Sequence, residues 1–352
     1  MLPLPEPIRG GSLSDLQDFV NVGSRADWVL LASWLVAALR PKGPYPVLVL
    51  HGEQGSSKTT TAKLLRALVD PNEAGVRSEP GDERDLMITA VNNWLVAFDN
   101  LSHLRSWLSD AICRLATGGG FATRELFTDS EEIIFRAQRP VLLNEIEEIV
   151  TRNDLLDRAL ILYMTSIPEG KRRSESELWA DFNRRRPLLL GALLNVVCDA
   201  LRNLDSVKLD RLPRLADFAL WATAAESSLS LRHGEFMDVY SGNRESANTL
   251  ALEVSSVASA VIGFMINRDA WMGSAVELLG ALSTRVSDST QRQSSWPKNP
   301  RALSNHLRRL LPNLRAAGVS VTFTPKAHAG KRLIHLERTE KFAPPSPPSQ
   351  GI

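Results

Sequence analysis

Residues 47–69, VLVLHGEQGSSKTTTAKLLRALV, join an aliphatic run to an amphipathic one through a loop rich in Gly and Ser. The first part, within YPVLVLH at 45–51, is apolar without alternation and suits a strand buried on both faces. In the second part Ala62, Leu64, Leu65, Ala67 and Leu68 recur at roughly helical spacing. A doubly buried strand that turns straight into a helix limits the fold to α/β layering around a parallel sheet.

The loop nearly spells G-x-x-x-x-G-K-[ST], with Ser57 standing in the place of the second glycine. In such a loop the backbone N–H groups from Gln54 to Thr59 would meet phosphate oxygens at the positive end of the helix. The candidate nucleotide-binding set is therefore Gly52, Glu53, Gln54, Gly55, Ser56, Ser57, Lys58 and Thr59. Lys58 would reach the β- and γ-phosphates, and the Thr59 hydroxyl would coordinate Mg²⁺. Gly52 and Gly55 hold positions where close approach or backbone strain demands no side chain. Ser57 carries a Cβ, tolerable where φ is negative or where a cost near a kcal/mol is absorbed, roughly the strain of one unusual backbone conformation. The bland alternative is a glycine turn that only caps a helix.

Downstream, the apolar run NWLVAFDN ends in Asp99, 41 residues after Lys58. A carboxylate at the carboxyl end of a strand beside the phosphate loop can hold Mg²⁺ through water, although a hydrophobic run ending in Asp is common by itself. SHLRSWLSDAICRLATGGG places Leu104, Trp107, Leu108, Ala111, Ile112 and Leu115 on one face of a helix that Ser102 could cap. FATRELFTDSEEIIF reads as two strands about the turn Thr128-Asp129-Ser130. Arg124, on the first of them, is either an ordinary surface charge or a group facing DNA or nucleotide. RPVLLNEI supplies another buried strand, ending in Asn144, whose carboxamide could sense a γ-phosphate. In RNDLLDRALILYM, Arg158 precedes a strand; it could meet a neighbouring subunit's γ-phosphate or pair with Asp154 or Asp157.

Charge divides the chain unevenly. Residues 298–338 hold nine Lys or Arg against one acid, Glu337, a net +8 that leaves the remainder at −7 under a total of +1. A basic end on an otherwise acidic chain points to a polyanionic partner. Here NPRALSNHLRRLLPNLRAAG puts Leu303, Leu307, Leu310, Leu311 and Leu314 on one stripe and Arg301, Asn305 and Arg308 opposite, with Arg309 on the flank. Pro312 is expected to end this helix and start a short one closed by Gly318. WMGSAVELLGALSTRV before it reads as a further amphipathic helix, and VSVTFTPKAHAGKRLIHLER after it as a two-stranded wing with Lys326, Lys331 and Arg332 at its tip. The two cysteines and six histidines fall at no metal-ligand spacing, which leaves a reduced compartment as the plain expectation. MLPLPEPIRGGSLS lacks a basic start and an apolar core, and the apolar stretch at 28–39 is too short to span a bilayer, so a cytoplasmic protein off the membrane is expected.

Taken together, GEQGSSKT, LVAFDN, GGGFATRELFTDSEE, PVLLNE and DLLDRAL resemble the AAA+ P-loop ATPase core, particularly the superfamily-three helicases of viruses, phages, plasmids and bacterial mobile elements. The resemblance is good over the middle third of the chain and loose elsewhere. It implies ATP and Mg²⁺ as ligands, with catalytic roles for Lys58, Asp99, Asn100, Asn144 and Arg158, and metal contacts from Thr59 and Asp99. It also implies a homo-oligomeric ring, a hexamer, with Arg158 serving the next subunit's site, and often a primase-polymerase encoded alongside. Asn100 stands where many ring ATPases carry Glu; an amide orients water but takes no proton. Hydrolysis is therefore expected to be slow, or to draw its base from elsewhere.

The expected organisation is an N-terminal lead (1–24), an α/β AAA+ core with a parallel sheet (25–167), a helical lid (168–255), a winged-helix DNA-binding domain (256–338) and a disordered tail (339–352). In the lid, Arg186 and Arg214 are alternatives for a phosphate contact, and either could instead make an ordinary surface bond. Single-stranded or forked DNA is the expected partner, held by Arg124, Arg301, Arg308, Arg309, Lys331 and Arg332. The expected activity is that of an ATP- and Mg²⁺-dependent DNA motor or remodeller in the replication of a mobile element. The rivals are an ATP-binding switch acting as an initiator, a basic module that meets an acidic protein surface, and a small-molecule phosphotransferase, which would not need the basic end.

Overall fold

Ser24 starts the first long helix, α1 (Arg25–Ala38), by accepting the Asp27 N–H at 3.1 Å, and every residue of α1 from 28 to 38 is buried. This is the computed structural model of the chain, which describes residues 2–101, 104–119, 121–124, 132–135, 137–144, 153–324, 332–340 and 342, with 121–124 and 132–135 described by backbone. Trp34 Nε1 donates to the Pro46 carbonyl at 2.9 Å and so fixes α1 against the entry to β1 (Val47–Gly52). There follow α2 (Lys58–Val69), α3 (Glu83–Asn92), β2 (Val96–Phe98), α4 (Ser106–Thr117), β3 (Phe121–Arg124), β4 (Glu132–Phe135), β5 (Val141–Asn144), α5 (Asn153–Leu156) and β6 (Ala159–Met164).

Four of these strands form one parallel sheet in the order β2-β5-β1-β6. The order matters for function. Inserting β5 between β1 and β2 brings the ends of three strands, at Gly52, Asn144 and Asp99, to the same carboxyl edge. Along the register β1 matches β6 from Val47↔Ala159 to Gly52↔Met164. β3 and β4 pair antiparallel as the expected hairpin, while its turn lies outside the described residues.

Buried polar contacts lock α2 to β2. Asp70 Oδ2 accepts the N–H groups of Trp94 and Leu95 at 2.9 and 3.1 Å and faces Arg66 Nη2 at 3.5 Å, both side chains being 1% exposed. A buried pair contributes little net stability but resists being broken, because the survivor would be an uncompensated buried charge. The phosphate-loop helix and the strand leading to Asp99 are thereby held in one relation.

Helices α6 (Glu175–Asn203), α7 (Ala216–Ala224) and α8 (Glu235–Val254) continue the chain. Ser174 and Glu177 form a capping box at the start of α6, and Pro187 lies inside it. The lead segment packs on α6: Ile8 N donates to the Pro187 carbonyl at 2.9 Å, and a Cβ at Gly191 would stand 2.0 Å from the Ile8 carbonyl oxygen. By length and composition residues 175–206 could cross a bilayer, yet α6 places Phe182, Leu189, Leu193 and Val196 in the same core as α1, α2 and α7.

The chain divides into two units, Met1–Arg244 and Glu245–Ile352, with the division falling inside α8. The second unit contains α9 (Ser256–Met265), β7 (Ala270–Ser274), α10 (Ala275–Ser283), α11 (Asp288–Arg292), α12 (Pro300–Ala316), β8 (Val319–Phe323) and β9 (Leu333–Arg338). Its antiparallel sheet has the order β7-β9-β8. Two expectations are corrected here. The stretch WMGS is a strand, not the start of a helix, because β9 supplies each of its four residues with a cross-strand partner; the Ser274–Glu277 capping box opens α10 after it. Helix α12 runs through Pro312 without ending. The proline costs about 3 kcal/mol in a helix interior, but burying Leu303, Leu307, Leu310 and Leu314 returns about 1.5–3 kcal/mol each.

Candidate functional site

The loop between β1 and α2 has a shape that its residue types explain. At Gly52 a Cβ would come 2.2 Å from the Met164 carbonyl oxygen, so the close pairing of β1 with β6 admits only glycine. Gly55 has φ +83°. Ser57, the helix N-cap, sits in the left-handed region at φ +62°, ψ +28°. The strained alternative foreseen for Ser57 is the one realised, at a cost of about 1 kcal/mol for a Cβ in this region. Glu53, Gln54 and Gly55 are exposed, whereas Ser56 is buried and its Oγ donates to the Glu53 carbonyl at 2.8 Å.

Lys58 is 6% exposed and points back into the loop, its Nζ donating to the carbonyls of Gly52 and Glu53 at 2.6 and 2.8 Å. One turn of the loop thus concentrates a positive charge at the N-terminus of a twelve-residue helix. Beside it, Thr59 Oγ1 donates to Asp99 Oδ1 at 3.0 Å. Asn144 Nδ2 reaches Thr59 Oγ1 at 3.1 Å and also donates to Asp99 Oδ1. The Asn144 side chain is 1% exposed, and its Oδ1 is buried with no hydrogen-bond partner among the described residues. Four sequence-predicted residues, Lys58, Thr59, Asp99 and Asn144, therefore converge. Asn100 follows Asp99 with φ +56° and is exposed.

Among the described residues no group of three His, Cys, Asp or Glu could hold a metal by itself. The hydroxyl and carboxylate oxygens of Thr59 and Asp99 are hard donors, and Mg²⁺ commonly takes one or two protein ligands and completes its shell with water and phosphate. The donor set fits that ion.

Arg158 does not join this cluster. It immediately precedes Ala159, which pairs with Val47 at the amino edge of the sheet, five residue steps or about 16 Å from the Gly52 edge. Its Nη1 donates to the Asp154 carbonyl at 2.6 Å, a backbone contact and not the side-chain ion pair considered as its alternative. Of the lid arginines, Arg214 pairs with Asp157 at 2.6 Å and Arg186 donates to the Ala67 carbonyl at 2.5 Å.

One contributor carried no sequence signal. Asn21 Nδ2 donates to the carbonyls of Ser56 and Thr165 at 3.0 and 2.5 Å, tying the lead segment to both the loop and the chain beyond β6. Burial of Leu13, Leu16, Phe19 and Val20 delivers it there.

In the second unit Arg301, Arg308, Arg309 and Arg332 are exposed. Arg308 stacks its guanidinium 4.0 Å from the centroid of the Phe323 ring. Lys326 and Lys331 lie outside the described residues. Arg124 has a described backbone, paired with Glu132, while its side chain lies outside the description.

Residues 13–241 match the family described as actinomycete integrative conjugative element replication protein, and residues 257–349 match the C-terminal domain of those RepA proteins. The chain belongs to this family. No curated protein matches it. Solved structures give distant similarities. The C-terminal region of NrS-1, in an apo form, is 12% identical with a TM-score of 0.41, over 96% of this chain and 79% of that one. The Orc1 protein of Aeropyrum pernix, solved in complex with DNA, is 15% identical with a TM-score of 0.25, over 91% of this chain and 90% of that one. The family supports the expectation of a replication protein of a mobile element.

Proposed function

We propose that the chain is a DNA-directed ATPase, a motor or remodeller serving the replication of an integrative conjugative element. The observation that carries it is the convergence of Lys58, Thr59, Asp99 and Asn144 beside a left-handed, glycine-bearing loop at the carboxyl edge of a parallel sheet. The loop amides and the helix end would bind the phosphates, with Lys58 turning from the Gly52 and Glu53 carbonyls to the β- and γ-oxygens. Thr59 and Asp99 would hold Mg²⁺, which supplies charge neutralisation on the phosphates. Asn144, whose Oδ1 is buried and has no partner among the described residues, would orient a water at the γ-phosphate. We further infer an AAA+ core with residues 168–255 as its lid, and a winged helix in the second unit, where α12 and the β8–β9 hairpin present Arg301, Arg308, Arg309 and Arg332 to DNA phosphates. Arg158 would act in trans within a ring. Asn100 favours a second reading, an ATP-binding switch with weak turnover.

Isothermal titration of Mg-ATP into the wild type and Lys58→Ala tests the base of the proposal. The variant is expected to lose at least about tenfold in affinity, the worth of one charge-assisted bond of about 1.5–3 kcal/mol. No binding by folded wild type would refute the proposal. Strand displacement on a forked duplex then separates motor from switch.

A further inference from the structure

Position 100 carries an amide where a water-activating carboxylate is needed, but the chain brings a carboxylate alongside it from another segment. Arg77 forms a parallel bridge with Phe98: its N–H donates to the Ala97 carbonyl at 3.0 Å, and its carbonyl accepts the Asp99 N–H at 2.8 Å. The segment at 77 thus lies on the outer flank of β2 and runs in the same direction, toward the carboxyl edge. Two residues further along, Glu79 lies where this segment runs past the end of β2. Pro80, buried, follows it and confines Glu79 to extended backbone, so the segment continues forward at this point. Alternation puts Glu79 on the same face of its segment as Arg77, whereas Asn100, at φ +56°, has already turned out of the strand at the end of β2. Adjacent strands stand about 4.8 Å apart, a gap that a glutamate arm nearly covers.

The Glu79 side chain is 26% exposed, and its Oε1 lies 3.2 Å from Arg105 Nε at the N-terminus of α4, in the connection that leaves Asp99. The carboxylate is therefore turned toward the loop beyond Asp99 and Asn100. We propose that Glu79 is the general base of this site. It would accept a proton from a water as that water's oxygen forms a bond to the γ-phosphorus and the bond from phosphorus to the β,γ-bridging oxygen breaks. ADP and inorganic phosphate leave, and the proton passes from Glu79 to solvent. The inference rests on the ATPase reading above, and it makes that activity compatible with Asn100.

The test uses full-length protein with DNA present. Glu79→Gln keeps size and hydrogen bonding but loses basicity. It is expected to lower kcat for ATP hydrolysis at least about 100-fold, the usual worth of a general base, with the dissociation constant for Mg-ATP changed less than threefold. The acid limb of the pH–rate profile should vanish with it. Arg105→Gln removes the ion pair but keeps the carboxylate, and should hydrolyse ATP within a few-fold of wild type. Glu79→Gln combined with Asn100→Glu should recover activity. Undiminished hydrolysis by Glu79→Gln overturns the proposal, as does an equal loss in Arg105→Gln, which would mark the pair as structural. A wild type that binds ATP and never hydrolyses it also overturns this inference while sparing nucleotide binding; absent binding defeats the earlier reading instead.

Discussion

Ser57 pays for the loop's shape with its backbone: at φ +62° its Cβ crowds the neighbouring carbonyl, and no side-chain capping bond offsets this. Relief is available from glycine, so Ser57→Gly is expected to raise the unfolding free energy by about 0.5–1 kcal/mol. A β-branched residue fits the region worst, so Ser57→Val should lower it by more than about 1 kcal/mol. Chemical denaturation of the three proteins checks both signs. The sequence marks position 57 as irregular and poses the right alternatives, but a serine is compatible with either sign of φ, so the residue type alone does not choose between them. Asn21 was illegible for another reason. A carboxamide in a loop has no periodicity, and its two acceptors lie 35 and 144 residues away. Lys58, Thr59, Asp99 and Asn144 were legible because each ends or begins an element whose apolar pattern is plain.

Among the elements, buried helices and strands follow their periodicity, and the departures occur where a partner far along the chain decides. β7 is five residues long and too short for its pattern to separate strand from helix; β9 decides it. At Pro312 local preference loses to the leucine stripe of α12, a contest that propensity alone cannot score. That unbroken helix carries Arg301, Arg308, Arg309 and Arg315 along 17 residues, all exposed, with Arg308 held over Phe323. A stacked guanidinium loses little freedom on meeting a phosphate. If these groups contact the backbone of single-stranded DNA, each one lost lowers the slope of log Kobs against log salt by about 0.7. Replacing Arg301, Arg308 and Arg309 together by Gln should therefore flatten the slope by about 2, with affinity reduced similarly across DNA sequences. Fluorescence anisotropy between low and moderate salt reads both quantities, and an unchanged slope would assign the basic face to another partner.

At the scale of the whole molecule, the parallel sheet separates two pieces of chemistry. Lys58, Thr59, Asp99 and Asn144 lie at its carboxyl edge, and Arg158 at its amino edge, about 16 Å along the strands. An arginine placed there serves no phosphate bound in its own loop. It could serve one bound by a neighbour in a head-to-tail ring, in which one edge of each subunit faces the opposite edge of the next. The separation makes a prediction that differs sharply between the two arrangements. Lys58→Ala and Arg158→Ala should each abolish ATP hydrolysis when tested alone. If sites are shared, mixing the two variants in equal amounts before assembly gives a site with an intact Lys58 and an intact neighbouring Arg158 in about one quarter of cases. The mixture should then recover about a quarter of wild-type hydrolysis, whereas sites confined to one subunit recover none. Retained hydrolysis in Arg158→Ala alone would instead leave the arginine with the role its contact already shows, holding the Asp154 carbonyl at the turn into β6.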